Sequence, residues 1–254
     1  MTDPLIFEKE PQDGVPLADA EPPAFLEPTW YMDFEKPAVQ DYAERNAGDA
    51  PDDLGKAVNL FYAIRDDFLY SPYSIPIDRA EYKASALIRR GSGWCVQKSL
   101  AMVACCRHLG IPARVGYADV KNHLTTPKLR DAMGTDIFSY HGYADIWLEG
   151  QWVKATPVFN RTLCEKAKVK PQEFDGRGDA LFQEYDAAGR RHMEYLRDRG
   201  IYSDIPFHEI MTDFAWRYPK YKEEQWNLGG SDPESFADDA AGHAQPETGA
   251  GKAA

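Results

Sequence analysis

The stretch GSGWCVQKSLAMVACCRHLGIPAR, residues 91–114, constrains this chain more than any other. Gly91, Ser92 and Gly93 let the backbone turn sharply and let another group approach closely. Val96, Leu100 and Val103 then recur on one helical stripe, with Met102, Cys106 and Leu109 close beside it. Arg107 and His108 suit the negative end of a helix, Gly110 stands where a left-handed cap belongs, and Pro112 forbids continuation. The segment reads as a buried helix with Cys95 on its first turn. There, unpaired backbone N–H groups and partial positive charge favour thiolate over thiol and provide donors for an oxyanion.

About thirty residues further on comes YHGYADIWLEGQWVKATPVFN, residues 140–160. From 142 the pattern alternates. Gly142, Ala144, Ile146 and Leu148 share one face, and Tyr143, Asp145 and Trp147 share the other with His141. This predicts a strand over 141–148, a tight turn at Glu149-Gly150 and a strand over 151–156, with another strand over 113–120. A thiol at a helix start and an imidazole on a following strand are the two halves of a nucleophile–base pair. His141, as imidazolium, is expected to lower the Cys95 pKa further. The pattern points to acyl chemistry through a cysteine.

The rest of the chain supplies the frame. Helical spacing of Leu54, Ala57, Val58, Phe61, Ile64 and Phe68 predicts a helix over 54–69, opened by the DAPDD run. Shorter helices are expected over 38–47, 79–90 and 206–217. Helices preceding an antiparallel sheet give an α+β expectation. The organisation expected is an acidic arm over 1–50 packed on the core, a catalytic core over 51–165, an extension of the same domain over 166–228, and a tail over 229–254. That tail holds few core-forming residues and is expected to be disordered and dispensable.

The net charge of −12 is concentrated at the ends: residues 1–55 carry 14 acidic and 3 basic side chains, and 229–254 carry 5 and 1. The interior is close to neutral and has no dense Lys/Arg stripe, so nucleic-acid binding is not expected. No apolar run approaches a membrane span, and the N-terminus shows no secretory pattern. Four cysteines (Cys95, Cys105, Cys106, Cys164) form no CxxC pair and fit a reduced, cytoplasmic setting. Cys105 and Cys106 read as packing residues. Among the other histidines, His123 is a further candidate for lining the site.

Gly93-Trp94-Cys95 with its helix, GIPAR at 110–114 and the histidine strand HGYADIWLEGQWV together resemble the transglutaminase-like superfamily, over roughly residues 50–160. The resemblance implies a papain-like α+β fold, a nucleophile helix packed on an antiparallel sheet, and a Cys–His–Asp triad. Cys95 would be the nucleophile and His141 the base. The family's Asp falls at Thr156, which is not a carboxylate. Asn160, whose amide oxygen is able to orient an imidazole, and Asp145 are the alternatives. The expected activity is that of a thiol-dependent amidase or peptidase, or an acyltransferase, working through a Cys95 acyl-enzyme without metal or cofactor. The expected partner is a peptide, protein or small amide substrate. The alternative is a non-catalytic binding module on the same fold.

Overall fold

Asp52 begins the helical layer, its Oδ1 accepting from the Gly55 N–H at 2.8 Å and opening α2, Asp53–Asp67. Ahead of it lies α1, Pro37–Ala47, with a proline in its first turn. The computed structural model describes residues 13–17, 21–122, 125–181, 193–218, 220, 228 and 232–243. The expected helix over 79–90 is a 3₁₀ turn, Arg79–Tyr82, and then α3, Ala84–Arg90, because Lys83 is extended (ψ 144°). Helix α3 stops at Gly91, whose φ of 75° is the left-handed cap.

Helix α4, Cys95–His108, is the axis of the molecule. Every residue from Cys95 to Arg107 is buried. The single apolar stripe read from the sequence therefore understates it: α1, α2 and α3 pack on one side and the sheet on the other. Its polar residues are buried because each has partners. Gln97 donates to the Glu81 carbonyl at 2.7 Å, Ser99 to the Gly142 carbonyl at 3.0 Å and Arg107 to the Ala113 carbonyl at 2.8 Å. Lys98 is fully buried, and its ammonium donates to the carbonyls of Arg65, Phe68 and Val158 at 2.6–2.9 Å. It pins the end of α2 and the 158–160 segment to the nucleophile helix.

The main sheet has five strands in the order β1-β7-β4-β5-β6, all neighbours antiparallel. They are β1, Pro16–Leu17; β4, Ala113–Asn122; β5, Ile137–Leu148; β6, Gln151–Ala155; and β7, Met193–Tyr202. A separate parallel pair joins β2, Leu69–Tyr70, to β3, Ser92–Gly93. The turn expected at Glu149-Gly150 is present, with φ of 49° and 87°. Three further helices are α5, Pro127–Met133, α6, Arg161–Ala167, and α7, Phe207–Arg217. The result is the expected α+β arrangement, a nucleophile helix against an antiparallel sheet.

Three features depart from the sequence reading. Helices α5 and α6 and strand β7 lie outside the sequence expectations: the helices have seven residues each, and β7 has four charged residues among its ten and is mostly partly exposed. The tail expected to be disordered over 229–254 contains α8, Ser235–His243. Phe236 is the reason: it is buried between Tyr70 and Tyr73, with ring centroids at 5.6 and 5.2 Å. Lys166 on α6 pairs with Glu234 and Asp238, and Tyr73 donates to Asp239 at 2.8 Å. One buried aromatic ring anchors a segment that its average composition marks as unfoldable. The expected arm over 1–50 and the remainder of the tail lie partly outside the described residues; within the arm, Pro16 and Leu17 pair with β7 and α1 packs on α2 and α4.

Candidate active site

The backbone at the start of α4 is held before any chemistry is considered. Gln97 Oε1 accepts from the Trp94 N–H at 3.3 Å, a reach-back from the third helical residue. Trp94 itself is extended, and its ring meets Tyr82 edge-on and Phe214 at a tilt. Cys95 is thereby fixed as the first helical residue, as expected.

Strand β5 comes against that turn at Gly142. A Cβ built there would lie 3.1 Å from the Val96 Cα, 3.4 Å from its nitrogen and 3.5 Å from the Cys95 carbonyl carbon. Glycine is required for the strand to approach the helix start so closely. The backbone N–H groups of Gly142, Val96 and Cys95 face the Cys95 sulfur. His141, next in the chain to Gly142, lines the same enclosed space as Cys95.

The kink that precedes His141 has a visible support. Tyr140 has φ 52°, uncommon for a non-glycine residue. Its N–H donates to Asp119 at 3.2 Å, its hydroxyl donates to Glu209, and the Arg199 guanidinium covers its ring at 3.9 Å. Nothing in the sequence marked Asp119, Arg199 or Tyr140, because the three meet only through the pairing of β4 with β5 and β7.

The space that Cys95 and His141 both line has a volume of about 20 Å³. Its walls come from the segment after β2, from α5, from β5 and from the end of α7. Cys95 and His141 are 5% and 4% exposed. That burial reverses one expectation. Desolvation pushes the Cys95 thiol up to about 12, although the facing N–H groups pull it down. Desolvation likewise pushes the His141 imidazole down to about 3. The resting pair is neutral thiol and neutral imidazole, because the loss of water outweighs the helix-end charge when both groups are sealed.

Each of the three candidates for orienting the imidazole has partners of its own. Thr156 is fully buried, and its hydroxyl donates to the Ala180 carbonyl at 2.7 Å. Asn160 Oδ1 accepts from the Tyr70 N–H at 3.0 Å and its Nδ2 donates to Thr162 at 2.6 Å. Asp145 pairs with Arg114 at 2.8 Å, and burial keeps its carboxyl above the ordinary range despite that cation. Arg114, the last residue of GIPAR, also stacks on Trp152 at 3.8 Å. The three residues bind strands and loops together, and none lines the space at Cys95. His123 lies outside the described residues.

No group of three or more side chains suited to a metal ion occurs among the described residues, and no helix there is long and apolar enough to cross a membrane.

The family model of the transglutaminase-like superfamily matches residues 40–157. No curated protein matches the chain. Among solved structures, "a putative cysteine protease" from Cytophaga hutchinsonii is similar at 19% identity and TM-score 0.43, covering 71% of this chain and 52% of its own. "A putative protease" from Parabacteroides distasonis is similar at 13% identity and TM-score 0.33, covering 50% of this chain and 25% of its own. The chain thus spans about half the length of the first and a quarter of the second.

Proposed function

We propose that this chain, whose residues 40–157 match the family model of the transglutaminase-like superfamily, is a thiol-dependent amide hydrolase acting through an acyl-enzyme on Cys95. The observation that carries the reading is the convergence of Cys95, His141 and the N–H groups of Gly142 and Val96 on one water-poor space. The imidazole, neutral at rest, takes the thiol proton as the sulfur attacks the amide carbonyl. Backbone N–H groups at the start of α4 stabilise the oxyanion. The amine leaves with the proton from His141, and water, activated by the same imidazole, releases the acid. An amine in place of water would make the enzyme a transferase; hydrolysis is the primary reading.

In this mechanism the proton moves within the attack step, since neither group is charged beforehand. Such a site needs no thiolate at rest, and its rate depends on the imidazole being neutral.

One observation favours a second reading. Thr156, at the position of the family's acidic residue, spends its hydroxyl on Ala180. A fold that has lost its acidic orienter suits a binding module that keeps the groove without turnover.

The test is direct. The full chain is incubated with a mixture of peptides and simple amides, quenched in acid, and Cys95 is mapped by mass spectrometry. An acyl adduct on wild-type protein, absent in Cys95→Ala and slowed in His141→Ala, supports the enzyme. Absence of both adduct and product across the mixture leaves the binding module.

A further inference from the structure

We propose that the space beside Cys95 is an acyl pocket selective for a small, uncharged group, and that it excludes carboxylates and long chains; the acyl role rests on the thiol-enzyme reading above. Its walls are apolar, built mainly from Ile75, Leu129, Met133, Phe138 and Phe214, and no Lys, Arg, Asp or Glu lines it among the described residues. An ion entering this space would lose its water and find no counter-charge, which is strongly unfavourable. The protein's own groups register the same effect, since burial alone keeps the thiol and the imidazole neutral.

Size is the second restriction. A volume of about 20 Å³ is close to that of a single water. A methyl-sized acyl group enters only if a wall side chain yields, and Met133 is the flexible one. A chain several carbons long would have to displace Phe214, which is packed against Trp94 and Tyr218.

A third feature is compatible with a neutral ligand here. Trp94 lines the pocket and is 4% exposed, and its indole N–H has no acceptor among the described residues. A buried donor without a partner is costly. A neutral acceptor on the ligand, such as a carboxamide or ester oxygen, suits that donor and brings no net charge into the pocket.

Two probes of equal size separate the charge rule from catalysis. Iodoacetamide and iodoacetate both form an S–C bond to Cys95 with loss of iodide, the thiol proton passing to His141 or to buffer. They differ only in amide against carboxylate. On the full chain at pH 7.5, with Cys95 mapped by mass spectrometry, iodoacetamide is expected to label about tenfold or more faster, after division by the rate ratio for free glutathione. Catalysis is read separately with p-nitrophenyl esters. Attack on the ester carbonyl expels p-nitrophenolate with its electron pair, leaving the acyl group on sulfur. The acetate should give a burst, the butyrate a slower one, and Met133→Ala should narrow that difference.

Equal labelling by the two alkylating agents overturns the pocket, and an ester burst beside it leaves the enzyme standing. Selective labelling without a burst from either ester keeps the pocket as a neutral-ligand site and overturns the acyl role together with the thiol-enzyme reading. Equal bursts from acetate and butyrate in the wild-type protein overturn the size restriction.

Discussion

Arg199 holds the carboxylate of Asp119 with two hydrogen bonds, Nε to Oδ1 at 2.6 Å and Nη2 to Oδ2 at 3.0 Å. The same guanidinium lies over the Tyr140 ring, and the same carboxylate accepts the Tyr140 N–H. A two-strand ion pair thus supports the left-handed residue immediately before the catalytic candidate His141.

Removing Arg199 should therefore act on both stability and rate. Arg199→Ala leaves Asp119 buried without its cation, a loss of about 3 kcal/mol in chemical denaturation. Arg199→Lys keeps the charge but loses the fork and the stacking, and should lower kcat more than it raises KM. In a double-mutant cycle with Asp119→Ala, coupling of about 1 kcal/mol or more is expected. Additive effects would mean that the two residues act independently.

His141 makes stability depend on pH in a defined window. Its folded pKa is pushed from 6.5 down to about 3. Below about 6.5 the unfolded chain binds a proton that the folded chain refuses, so stability falls as the pH drops through this range, by up to about 5 kcal/mol. Asp204 opposes this, since burial raises its carboxyl to about 6 and favours the folded state on acidification. The difference between wild type and His141→Gln, measured by urea denaturation from pH 7 to pH 4, isolates the imidazole. Wild type should lose more stability than the variant; parallel curves would place a charged imidazole in the fold.

Helix α8 should be worth measuring by deletion. Ending the chain at residue 228 removes Phe236 and the Lys166 and Tyr73 contacts, and is expected to lower Tm by several degrees. Phe236→Ala alone should cost about 3 kcal/mol. Trp216→Ala is the control: that ring is 79% exposed, and its removal should leave Tm nearly unchanged. An unchanged Tm after truncation would show that α8 does not dock in solution.

Gly142→Ala tests the close approach of β5 to α4. The new methyl meets backbone atoms of Cys95 and Val96, which have little freedom to yield. A stability loss of roughly 1–3 kcal/mol is expected. The alkylation rate at Cys95 should change as well, because the Gly142 N–H facing the sulfur is displaced. A variant with wild-type stability and unaltered Cys95 reactivity would contradict the packing.

The sequence by itself determined the parts with short-range causes. Gly91 ends the helix before the nucleophile turn and Gly110 follows the nucleophile helix, alternation after His141 set the strand, and Glu149-Gly150 set the hairpin; each depends on the conformational limits of a few adjacent residues. Cys95 was legible for the same reason, since it sits at a helix start that its neighbours define, and His141 was legible from the alternation that follows it, although β5 begins four residues earlier, at Ile137. Only the tertiary structure decided how the pair is protonated, because desolvation is set by the walls that α5, α7 and the segment after β2 bring around it. Only the tertiary structure engaged Thr156 with Ala180 and Asn160 with Tyr70, partners 24 and 90 residues away. It also decided that a tail of acidic and small residues folds, since one ring at Phe236 found a buried place between two tyrosines. Local chemistry writes elements into a sequence, but dielectric environment and long-range hydrogen bonding exist only once distant segments meet.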